Sequence, residues 1–165
     1  MGEGALTFYG DPQASLAAYR RAHALDPENI AAIEFIGQLE LIFGNLKAAE
    51  DALRQVLDLG RTQEDQRAIA VGYGSLGVIS MARGDWEAGG DYFTQALALD
   101  EELGRKEGMA QIYANLGAVA FKRGDLLEAR QFWVQARGLF AEMGAQPAVA
   151  QFDQLLADLE PTAGP

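Results

Sequence analysis

The chain has 165 residues, a formal net charge of −11 and no cysteine, which suits one domain or one repeat array and excludes disulfides, thiolate zinc sites and thiol nucleophiles. A single histidine removes the His-rich metal constellations, and the acidic balance speaks against nucleic acid and anionic lipid, both of which require a basic face. No apolar run reaches membrane-span length, and Met1-Gly2-Glu3-Gly4-Ala5 lacks the pattern of a signal peptide or, with Leu6 next, of a myristoylation site.

Taken in chain order, almost every segment shows helical periodicity and almost none alternates at period two. A lone helix is expected over Asp11–Leu25, stopped by Asp26-Pro27. A pair follows at about 30–43 and 46–60, then a helix over 67–83. Asp85 to Leu103 reads as a helix opened by Asp85 and closed at Gly104. After another over 107–123, Asp125 to Met143 repeats that pattern and closes at Gly144. An aspartate before each run accepts from orphan amides, and a glycine after it tolerates the left-handed turn. The last helix, about 147–159, carries Gln151, Asp153, Gln154 and Asp158, the polar face a terminal capping unit needs.

These segments are periodic. Gly44-Asn45-Leu46-Lys47-Ala48, Gly84-Asp85-Trp86-Glu87-Ala88 and Gly124-Asp125-Leu126 line up with glycines 40 residues apart, and Gly10-Asp11-Pro12 stands 34 before the first. Such a period marks an array in which each unit buries its apolar face by stacking on the next. Three units give Ile33-x2-Ile36-Gly37 with Ala49-x3-Leu53, Tyr73-x2-Leu76-Gly77 with Gly89-x3-Phe93, and Tyr113-x2-Leu116-Gly117 with Ala129-x3-Trp133. Ser15-x3-Tyr19, Ala22 and Asp26-Pro27 supply the second half of an earlier unit.

This spacing resembles the tetratricopeptide repeat over nearly the whole chain. The pattern's tyrosine is replaced by Glu40, Ser80 and Ala120, and its proline survives only as Pro27. The extra residues per unit, as in Glu101–Glu107, resemble the long repeats of kinesin light chains and spindle-orientation adaptors and are expected to lengthen both helices by about a turn. The resemblance implies an all-α fold, a right-handed α-solenoid of stacked antiparallel helix pairs. Its expected divisions are a partial repeat at 1–29, repeats at 30–66, 67–106 and 107–146, a capping helix at 147–160 and a tail at 161–165. Gly4 to Tyr9 would end the first helix of the partial unit.

Nothing in the chain reads as catalytic, cofactor-binding or metal-ligating. Gly72-Tyr73-Gly74-Ser75-Leu76-Gly77 matches G-x-G-x-x-G, but no strand precedes it, and small residues there serve close helix packing. Asp100-Glu101-Glu102 and Glu64-Asp65 are expected in inter-repeat turns as a solvated acidic surface. His23 is expected at the surface or half-buried on its helix, without a Ser or Cys partner. Trp133, Phe93 and Tyr19 belong to the core, and Trp86 to packing between repeats with partial exposure.

In the resembled family the first helix of each repeat faces a concave groove. Projecting the helical period inward from the packing residues gives Glu34, Phe35 and Gln38, then Ser75 and Val78, then Gln111, Asn115, Ala118, Phe121 and Lys122. The expected lining is mostly small and apolar with a few amides, and without convergent titratable groups. Asn115 stands where relatives use an asparagine to hold a ligand's backbone, since an amide donates and accepts at once. The positions that grip chaperone-tail carboxylates in one subset of the family hold Glu34, Gln38, Ser75, Gln111 and Asn115, and Glu34 has the wrong sign. The implied function is a non-enzymatic, cytoplasmic protein–protein interaction scaffold whose groove takes a peptide or helix of a partner, with apolar anchors and basic flanks. The alternative is a structural module that forms homo-oligomers through open repeat ends.

Overall fold

Aspartate and asparagine side chains start five of the eight helices found in residues 11–159, the part of the chain that a computed structural model describes. These are α1 (Pro12–Leu25), α2 (Ile30–Ile42), α3 (Leu46–Thr62), α4 (Gln66–Ala82), α5 (Trp86–Glu102), α6 (Lys106–Arg123), α7 (Leu126–Glu142) and α8 (Gln146–Asp158). Asn29, Asp65, Asp85 and Asp125 each accept from the amide three residues on, at 3.0 or 3.1 Å, and Asp11 accepts from Gln13. The expectations for Gly4–Tyr9, Gly10, Glu160 and the tail at 161–165 lie outside the described residues.

The stop signals act as the sequence suggests. Gly44, Gly84, Gly104, Gly124 and Gly144 all take positive φ, between 64° and 85°. Glu64 occupies the place in its unit that Gly104 and Gly144 occupy in theirs, and takes φ 55°. A Cβ in that conformation costs roughly 1–2 kcal/mol, offset in part by the greater unfolded-state freedom of glycine. Glu64→Gly is therefore expected to stabilise the protein by about 0.5–1 kcal/mol, read as a higher urea midpoint with an unchanged slope. An unchanged or lower midpoint would show that this turn carries no strain.

One boundary moves. The helix expected to end near residue 60 runs on to Thr62, because Gly60 is not a terminator. It is buried inside α3, where a Cβ would press on Ile69 and Ala68 of α4.

Each helix packs on the next, and α2, α4 and α6 also touch in series. The core repeats with the sequence: Gly37, Gly77 and Gly117 lie against the side chains of Leu53, Phe93 and Trp133 respectively. Ala49, Gly89 and Ala129 are buried at the matching places on α3, α5 and α7. A large residue on one helix fills a bare spot on its partner, so the helices approach closely. The result is an all-α solenoid with no strand among the described residues. Trp86 is half-buried against the cluster around Phe93 and Ile112, with Lys122 over its ring at 5.8 Å. His23 is half-buried on α1, with Nδ1 lacking a hydrogen-bond partner.

Candidate functional site

A groove of about 820 Å³ runs along the inner faces of α2, α4, α6 and α8. Its polar lining is Gln38, Ser75, Gln111, Asn115 and Gln151, and its apolar lining includes Val71, Val78, Ile112, Phe140 and Phe152. The helical period explains the selection: residues three and four apart share a face, so Gln111, Ala114 and Asn115 are presented together on α6.

Of the residues projected inward from sequence, Glu34, Gln38, Ser75, Val78, Gln111 and Asn115 line this groove. The other four are engaged elsewhere or lie outside the lining. Phe35 stacks on Tyr19 with ring centroids 4.7 Å apart. Phe121 lies 5.7 Å from the Trp133 ring, Lys122 sits over Trp86, and Ala118 is half-buried outside the cavity. Phe121 and Lys122 lie toward the C-terminal end of α6, beyond its last lining residue Asn115, whereas Phe35 lies between the lining residues Glu34 and Gln38 and is turned to Tyr19 of α1.

The lining is also more charged than expected, which corrects the picture of small apolar residues and a few amides. Arg67 donates to both carboxylate oxygens of Glu34, at 3.1 and 3.3 Å. Arg105 donates to Asp100 Oδ1 at 2.6 Å, and Glu107 stands in the first turn of α6. All five residues border the groove. Sequence reasoning missed Arg67 and Glu107 although the signal was present: they lie four residues before Val71 and Gln111 on the same helical faces. Arg105, ahead of its helix, and Asp100, on the preceding one, obey no such period.

Asp100 overturns the expectation of a solvated acidic turn. It lies in the last turn of α5, only 3% exposed, and its carboxylate fills the space a side chain on Gly108 would need. Burial pushes its carboxyl above the ordinary aspartate value, opposed by the charge and hydrogen bond of Arg105 and by the charge of Arg67. The folded chain thus holds this proton more tightly than the unfolded one, where the value is near 3.8. Its contribution to stability is greatest below 3.8 and declines as pH rises through the elevated folded value. Urea unfolding of Asp100→Asn alongside wild type should show the difference shifting in favour of the variant as pH rises across that window. A difference constant with pH would refute the account.

Glu50 behaves in the opposite sense outside the groove. Hydrogen bonds from Arg54 and Arg83 hold its carboxyl below the usual range, linking α3 to α4. Glu40, at the position where the repeat pattern has tyrosine, is buried and accepts from Arg20 and from Asn45 Nδ2, the latter at 2.7 Å. Asn45, at the start of α3, makes this bond and no side-chain cap to its helix.

Stacked helix pairs with a groove along the inner faces of alternate helices define a helical-repeat solenoid. Residues 68–142 match the tetratricopeptide repeat family. The fold is shared more widely. BtubC (BKLC) from P. vanneervenii is similar with a TM-score of 0.71 at 21% identity, over 90% of this chain and 62% of that one. MamA is similar with a TM-score of 0.60 at 18% identity, over 91% of this chain and 89% of that one. The MamA RS-1 ArsTM double mutant gives 0.60 at 22% identity, over 81% and 68%. The chain thus spans 62% of the length of BtubC, and at these identities the likeness is one of fold. No curated protein matches the sequence. Tetratricopeptide repeats are protein-interaction scaffolds, and among the described residues no helix is long and apolar enough to cross a membrane.

Proposed function

We propose that the concave groove binds an extended or helical segment of a partner protein and that the chain performs no chemistry on it. The observation that carries this reading is the lining itself, in which amides from α2, α6 and α8 and paired charges stand beside apolar side chains of α4, α6 and α8. Asn115, Gln111, Gln38 and Gln151 can each donate and accept, which suits a peptide backbone. Val78, Ile112 and Phe152 offer places for apolar anchors. Two of the groove's carboxylates, Glu34 and Asp100, are already committed to arginines and are poorly placed to act as acid or base.

The test is capture of partners from source-organism lysate by wild type and by Ser75→Trp, whose indole would fill the middle of the groove. Partners held by wild type should be lost by the variant, with helical content and thermal midpoint retained. Equal capture by both would remove the groove as the working surface.

A second reading, self-association through the terminal helices, is favoured by Leu25. It is 88% exposed at the end of α1, whereas Leu59, Leu99 and Leu139 at the matching places are half-buried. Mass by light scattering should then rise with concentration, and Leu25→Glu should abolish the rise; a constant monomer mass would dismiss this reading.

A further inference from the structure

The groove's charges do not all cancel internally. Glu34 is paired with Arg67 and Asp100 with Arg105. Glu107 is exposed, and among the described residues its carboxylate has neither an ion pair nor a hydrogen bond. The repeat register shows why. Arg67 reaches back across one helix pair to Glu34, and one unit later Glu107 takes the place of Arg67 while Gly74 takes the place of Glu34. The inter-repeat ion pair of the first step is absent from the second, because glycine offers Glu107 no side chain to pair with. Both Glu107 and Gly74 border the cavity.

From this arrangement we infer that the groove takes a partner segment bearing a lysine or arginine side chain, which pairs with Glu107. The inference rests on the groove reading and adds the chemistry of the ligand. A basic ligand is favoured over an acidic one on three grounds. The two arginines at the site already have buried carboxylates as partners, so an acidic group would compete with them. Glu107 is the charged group of the lining with no such partner. The net charge of −11 draws cations and repels anions at long range. The place of Glu107 in the first turn of α6, next to the positive end of the helix dipole, accounts for a carboxylate being tolerated there until a ligand arrives.

The experiment is selection of a random peptide library displayed on phage against wild type, Glu107→Lys and Ser75→Trp, followed by titration of the recovered peptides into wild type and Glu107→Gln. Wild type should enrich peptides with a basic residue beside apolar ones, and higher NaCl should weaken their binding. Glu107→Gln should weaken them about fivefold, in line with loss of one partly solvated ion pair, and Glu107→Lys should no longer select them. Glu107 is exposed, so both substitutions leave the core intact. Peptides lost in Ser75→Trp but lacking a basic residue, or bound equally by Glu107→Lys, would overturn this inference and leave the groove reading standing. If no selected peptide depends on position 75, both fall.

Discussion

Phe93→Ala should lower stability by roughly 3–5 kcal/mol, the largest effect expected of any single substitution in this chain. Phe93 is fully buried, its ring covers Gly77, and it packs with Ala96, Ile112, Leu116 and Val119. Removing the ring leaves a cavity that neighbours cannot close, because the bare surface of Gly77 has no side chain to move into it. Phe93 also sits on α5, in the middle of the array, where each helix pair is held only by the pairs on either side. The damage should therefore be cooperative: a thermal midpoint lower by about 10 °C and a broadened transition as the two halves uncouple. A loss below about 1 kcal/mol would show that the repeats relax around the site far more than close packing allows.

Gly117→Ala is the complementary test, in which a single methyl group is added rather than a ring removed. A Cβ on Gly117 would overlap the indole of Trp133. The indole is rigid and held in place, with Nε1 donating to the Ala114 carbonyl at 3.2 Å and the Phe121 ring tilted against it, centroids 5.7 Å apart. The substitution gains helix propensity of about 1 kcal/mol, but overpacking costs about 3, so a net loss near 2 kcal/mol is expected. Trp133→Leu imitates the first unit, where Leu53 faces Gly37. In the double variant the smaller and more flexible side chain relieves part of the overlap, since a Cβ on Gly37 would meet Leu53 Cγ at 2.8 Å where one on Gly117 meets the indole at 2.3 Å. The losses should therefore fall short of additive by about 1 kcal/mol in urea unfolding. Strict additivity would mean that the two positions do not press on one another.

The repeat frame was legible because its signals are local or strictly periodic. Asp85 and Asp125 cap the helices that follow, and Gly104 and Gly144 turn the chain, through hydrogen bonds and backbone sterics that involve only nearby residues. The recurrence of Gly37, Gly77 and Gly117, and of Leu53, Phe93 and Trp133, could be read from spacing alone, while the packing of each glycine against its large partner came from the structure. Gly60 was not legible in that way. It has the look of a terminator, yet it is a contact residue within α3, and only the approach of Ile69 reveals this.

The site divides on the same physical line. The helical period brought Gln38, Ser75, Val78, Gln111 and Asn115 to the groove because a helix fixes the direction of every side chain on it. Sequence alone thus determined the order of the helices among the described residues, most of their caps, the recurrence of large and bare positions, and the general face turned inward. The tertiary structure decided which turns of that face reach the groove, which charges are buried and which remain unpaired. Asp100 and Gly108 meet across two helices, Arg67 spans from α4 to Glu34 on α2, and Phe121 turns to Trp133 instead of to the groove. Those outcomes depend on distances between separate helices in the folded array, and burial and charge pairing are properties of such distances rather than of any residue's local sequence.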